Sequence, residues 1–198
     1  MPSQAHVHWH EGLFLQPHHL QTMQRRAQES VWDERRIGLA WPVGLIESRI
    51  STDALENMLV RFDKLRAIMP SGQEVWFPET SDLPPLDIKK EFERSTQPFV
   101  VELGVPLWYP TRGNAIESGA AAGGGATDWR VKRLYRIAET PRPDENTGEN
   151  AQPVLVRRVN ARLLLPSDDR TDMETLPLVR VMHTTGKDGG KPGIDQSF

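Results

Sequence analysis

A change of texture at Gly38 constrains this chain more than any other feature. Before it lies a single helical run. After it the chain breaks into short segments that alternate apolar and polar residues with a period of two, cut by glycine and proline turns. The segments fall at 38–50, with a kink at Pro42, and at 58–69, where the alternation slips near Asp63–Lys64 and predicts a bulge. Pro70-Ser71-Gly72-Gln73 reads as a turn leading into a hairpin strand at 74–78, and a further strand is predicted at 99–105. Over 128–137, Trp129, Val131, Tyr135 and Ile137 share one face, opposite Arg130, Lys132 and Arg136. Over 154–165, Leu155, Val159, Ala161, Leu163 and Leu165 are expected inside, with Arg158, Asn160 and Arg162 outside. Segment 176–183 completes the set with Val179 and Val181 on one face. Strands with one polar face each predict antiparallel sheets packed as a sandwich.

The helix spans about 17–36. Pro17 suits its first position, where a missing N–H costs nothing, and Leu20, Met23, Ala27 and Val31 follow helical spacing with Trp32 beside them. Arg35 and Arg36 favour the negative end of the helix dipole, and Gly38 can close it. The expected fold class is therefore mainly β, an antiparallel β-sandwich preceded by an N-terminal arm and one α-helix. The parts are an arm at 1–16, the helix at 17–37, the sandwich at 38–183 and a flexible tail at 184–198. Loops are expected at 82–90, at 111–127 with the tract GAAAGGG, and at 140–153.

Charge and composition exclude several functions. Lys+Arg number 24 against 27 Asp+Glu, a net charge of −3, where a dedicated nucleic-acid binder needs a basic surplus. Cysteine is absent, which removes disulfides, zinc thiolates and thiol catalysis. No apolar run suits a membrane helix and the His-rich start is no signal peptide, so the expected compartment is the cytoplasm.

The candidates for chemistry are few. Five of six histidines precede residue 20: His6, His8, His10, His18 and His19. His8 and His10 share a face of an extended segment beside Glu11, which suggests a metal site, yet only His183 follows to complete one. The preferred reading is that these imidazoles hydrogen-bond and stack in a docked arm. The glycine tract at 119–125 lacks the Lys-Ser/Thr of a phosphate loop, Ser71-Gly72 and Ser118-Gly119 lack a Gly-x-Ser-x-Gly frame, and Asp168-Asp169 reads as a solvated turn.

The opening Val7-His8-Trp9-His10-Glu11-Gly12-Leu13-Phe14-Leu15-Gln16-Pro17-His18-His19-Leu20-Gln21 closely resembles the start of the TssK family, baseplate subunits of bacterial type VI secretion systems. Trp9, Glu11, Gly12, Phe14, Leu15, Pro17, His19 and Gln21 keep the family pattern VxWxEGxFLxPxHxQ. Weaker matches follow at Gly38-Leu39, Pro70-Ser71-Gly72, 160–165 and 176–181. The resemblance covers nearly the whole chain but only the front of the family's length. It implies a shoulder domain like that of phage receptor-binding proteins, with a helical stalk and a head following the tail. It further implies trimers, docking on a TssF–TssG wedge, and contacts of the head with the membrane-complex proteins TssL and TssM. A chain without stalk and head is expected to keep the wedge contacts and lose those to TssL and TssM; its own trimerisation is left open.

Trp9, Leu13, Phe14 and Leu15 ahead of an amphipathic helix make a good docking element, and Glu11, Pro17 and His19 complete the expected partner-binding set. Either this arm orders on a partner subunit, or its aromatics seal an open edge of their own domain. A scaffold without cofactor or active site is the leading expectation. Its rivals are a His-dependent metal hydrolase on a β-sandwich and a carbohydrate- or receptor-binding module.

Overall fold

The computed structural model describes residues 5–116, 132–184 and 190–198. Pro17 opens the first helix, α1 (Pro17–Gly38), and the N–H of Leu39 closes it on the Arg35 carbonyl at 3.0 Å. Gly38 is thus the last helical residue rather than the cap beyond it. The strand expected from 38 begins later, as β1 (Gly44–Ile50), because Pro42 and the positive φ of Gly44 (+137°) interrupt the lead-in. Two short helices were not anticipated: α2 (Thr52–Glu56), capped by the Ser51 hydroxyl, and α3 (Lys89–Arg94).

The remaining strands are β2 (Leu59–Val60), β3 (Phe62–Ile68), β4 (Glu74–Phe77), β5 (Ser81–Asp82), β6 (Leu86–Asp87), β7 (Phe99–Pro106), β8 (Ala115–Ile116), β9 (Tyr135–Arg142), β10 (Gln152–Asn160), β11 (Arg162–Leu164), β12 (Met173–His183) and β13 (Pro192–Ile194). They form sheets ordered β1-β3-β4, β5-β10-β9-β8 and β11-β7-β12-β13, with a small β2-β6 pair. Pairing is antiparallel except for the two-residue bridges β5–β10 and β8–β9. The fold is mainly β, as expected. Between β1 and β3 the register steps from Arg49↔Lys64 to Ile50↔Phe62 and skips Asp63, at the place where the alternation slips.

One core joins the sheets. Leu65 and Val75 from β3 and β4, Val101, Leu103 and Val105 from β7 and Val181 from β12 are fully buried, with Val60, Met69 and Ile88. A large apolar side chain buried this completely contributes roughly 2 kcal/mol.

Several expectations are corrected. The strand expected over 128–137 starts at Tyr135; its Trp129, Arg130 and Val131 lie outside the described residues, as does most of the loop at 111–127. The loop expected at 140–153 is shorter, running over 143–151 as the hairpin connection, since β9 and β10 pair from Arg142↔Gln152 to Tyr135↔Val159. Main-chain pairing in an exposed hairpin tolerates the polar, proline-rich composition that suggested a loop. Within β10, Leu155 points outward at 71% exposure, whereas Asn160, expected outside, is buried with its amide donating to the Arg133 carbonyl at 3.0 Å. The stretch expected as a flexible tail contributes β13, which pairs with β12 and is reinforced by an Arg180–Asp195 ion pair at 2.9 Å.

Candidate functional site

No residue from 5 to 50 is buried, although this stretch holds Trp9, Phe14, Leu15, Leu20, Met23, Val31, Ile37, Leu39, Trp41, Leu45 and Ile46, all exposed. Phe14 is 80% and Trp41 90% exposed. A soluble chain rarely leaves so many large apolar groups in water along one continuous segment. The arm, the outer side of α1 and the edge strand β1 therefore form the candidate site.

The arm takes its shape from local bonds. Gly12 adopts φ +80°, a left-handed turn that suits glycine, and the N–H of Leu13 donates to the His10 carbonyl at 3.3 Å. His10 Nδ1 lies 2.9 Å from the Glu11 carbonyl, and the rings of His8 and His10 stack with centroids 5.7 Å apart. Trp9 leans on the ring of His19 at 6.3 Å and 49°. Leu13 is half-buried, while Trp9, Glu11, Phe14, Leu15 and Pro17 are exposed. The residues expected to bind a partner are thus brought together at the start of α1, and the aromatics are not sealed against the sandwich.

The helix meets the sandwich through an unexpected face. Leu20, Met23, Ala27 and Val31 are all exposed, with Ala27 and Val31 bordering the open cleft between the helix and the sheets. The Arg25 guanidinium lies over the Trp108 ring at 4.3 Å and pairs with Glu29 at 3.2 Å. Gln24 accepts a hydrogen bond from Arg157 of β10 at 2.8 Å. Trp32 covers the Ser71–Gly72 turn so closely that a Cβ on Gly72 would lie 2.3 Å from the indole. The same turn is tied to β12: Glu174 accepts the Ser71 N–H at 2.8 Å and bonds the Ser71 hydroxyl at 2.6 Å. Burial pushes the Glu174 carboxyl above the ordinary carboxylate range, and the bonds from Ser71 oppose that shift. Between α1 and the sheets lies an open cleft of about 930 Å³, which Val31, Trp32, Trp108, Leu155 and Glu174 help to line.

No group of three or more His, Cys, Asp or Glu side chains is placed to hold a metal ion among the described residues. His183 stacks on Phe92 at 3.7 Å and its Nε2 lies 3.1 Å from the Ser95 carbonyl, so its ring is engaged elsewhere. No helix among the described residues is long and apolar enough to cross a membrane.

The family model of bacterial type VI secretion that gathers VasE, ImpJ and EvfL matches residues 19–198. The chain belongs to that family. It is 27% identical over 176 residues to the type VI secretion system baseplate component TssK1 of Pseudomonas aeruginosa PAO1, a match covering 88% of this chain and 37% of that relative. The chain thus spans well under half the length of the curated protein it matches. Its fold is similar to a chain of the TssK–TssF–TssG baseplate subcomplex determined by cryo-electron microscopy, with a TM-score of 0.82 at 20% identity over 98% of this chain and 60% of that one. It is also similar to a crystal structure of TssK, with a TM-score of 0.76 at 20% identity over 96% of this chain and 42% of that one. The family is one of structural baseplate components, and the resemblance in the opening motif agrees with it.

Proposed function

We propose that this chain is a structural part of a type VI secretion baseplate, without chemistry of its own, that docks on a TssF–TssG wedge through its arm and the outer face of α1. The observation that carries this reading is the absence of any buried residue between 5 and 50 in a segment so rich in large apolar groups. Such groups anchor protein interfaces when a partner removes them from water. Family membership supplies the setting, and the relative solved with TssF and TssG supplies the partners. The reading places the chain in the cytoplasm beside the inner membrane. The whole protein would act as a trimer and reach TssL and TssM through parts beyond this chain.

Co-purification with the TssF–TssG pair tests it. Deleting residues 1–16, or combining Phe14→Ala with Leu20→Ala, should weaken capture at least tenfold, since an interface anchor contributes about 2 kcal/mol or more. Equal capture by the parent and both variants would refute the assignment.

A further inference from the structure

We propose that His19 is the positioning residue of the docking arm, holding Nδ1 free of a proton so that it accepts the Gln16 N–H and fixes the direction in which the arm leaves α1. The inference rests on the docking role proposed above and names the group that orients it.

The geometry is that of a helix start whose third residue reaches back to the cap. Gln16 has extended backbone (φ −122°, ψ 156°), and its N–H donates to His19 Nδ1 at 3.0 Å. In return the His19 N–H donates to the Gln16 carbonyl at 3.0 Å. Glutamate or glutamine ordinarily fills this third position because each carries an acceptor. An imidazole does the same only when the ring nitrogen facing the cap has no proton, which leaves the proton on Nε2. The imidazolium has donors on both nitrogens, so its Nδ1 would meet the Gln16 N–H donor to donor.

The surroundings reinforce this. The first turn of α1 holds no acidic residue, so nothing there compensates a cation at the positive end of the helix dipole. From the arm, Trp9 faces the ring, and the ionisable residues that flank Trp9 in the sequence are His8, His10 and Glu11. On the helix, His18 is adjacent, and the next turn presents the uncharged Thr22 and Met23 before Arg25 and Arg26, which pair with Glu29. No ion pair to His19 forms among the described residues. Because Trp9 rests on the imidazole, the ring that caps the helix also sets the position of an arm aromatic.

The test uses the whole chain in nitrogen-edited NMR, with the parent compared to His19→Ala and His19→Glu. Near pH 8 the parent should show the Nε2–H tautomer at His19, a Gln16 amide protected from exchange, and a Trp9 indole signal distinct from that of His19→Ala. His19→Glu retains an acceptor and should keep the Gln16 amide protected, while its Trp9 signal should follow that of His19→Ala because both variants lack the ring. Core amides such as that of Leu103 report whether each variant is folded. Capture of the TssF–TssG pair near pH 8 should be about fivefold weaker for His19→Ala, the size of a lost helix cap, and rescued in His19→Glu. A proton on Nδ1 near pH 8, or Gln16 and Trp9 signals that ignore His19→Ala, would overturn the cap itself. The expected NMR pattern with unchanged capture in all three proteins would instead overturn the positioning role and locate the failure in the docking assignment.

Discussion

Replacing Gly72 by alanine sets a turn of the sandwich against α1. Gly72 has φ +84°, where a residue with a side chain is disfavoured by roughly 1–2 kcal/mol. Its new Cβ would lie 2.3, 2.4 and 2.8 Å from Cδ2, Cγ and Cε3 of Trp32, atoms near the base of the indole that cannot move without the whole ring. Lifting the ring forfeits much of its packing, a further loss of roughly 1–2 kcal/mol for a half-buried aromatic. The sum is about 2–4 kcal/mol, and at a fall of roughly 2–4 °C per kcal/mol the midpoint drops on the order of 10 °C. Urea and thermal unfolding of Gly72→Ala, Trp32→Ala and the double variant separate the two parts. Without the indole only the backbone penalty should remain, leaving a coupling of about 1–2 kcal/mol between the sites. An equal cost of Gly72→Ala in both backgrounds would show that Trp32 does not rest on this turn, and the account of how α1 is seated would fail with it.

Arg158→Ala should cost roughly 2–4 kcal/mol in urea unfolding, because its guanidinium bonds Asp82 at 2.7 Å and the carbonyls of Pro78, Glu79 and Ser81, and Arg136 at 3.8 Å would be left as the paired cation of Asp82. A loss below about 0.5 kcal/mol, the size of an ordinary surface change, would contradict that role. Glu174 gives a pH signature: an acid raised by folding binds more protons when folded, so it contributes stability at low pH that is lost as pH rises through the raised value. Glu174→Gln should therefore gain stability relative to the parent as pH rises above the ordinary glutamate value of 4.5 in urea titrations, and a difference that is flat with pH would refute the assignment.

The parts legible in the sequence are those where side chains and backbone agree. Pro17 and the stripe that follows mark α1, and β3, β7 and β12 carry apolar residues that the core demands. Which face of α1 meets the sandwich was not legible. Periodicity points to Leu20, Met23 and Val31, whereas the contacts run through Arg25, Trp32 and Gln24, whose partners Trp108, Gly72 and Arg157 lie far along the chain. Leu155 shows the same limit, because alternation reveals two faces and not which of them another layer covers. The paired ends of β9 and β10 depend on main-chain bonds that composition does not report, and β5, β8 and β13 are too short for any period to register. At the site, the motif singles out Trp9, Phe14 and His19, and only the folded geometry shows His19 reaching back to Gln16. The presence of histidine where Glu or Gln is usual was the available signal.

Because α1 surrenders no side chain to the interior, its outer residues can be exchanged without disturbing the sheets beneath. Under the proposed docking role, selection can retune what the helix recognises, residue by residue, while the β framework keeps its own constraints. On that reading specificity and foldability are written in separate stretches of one polypeptide, so that a new match between neighbours needs no redesign of the scaffold that carries it.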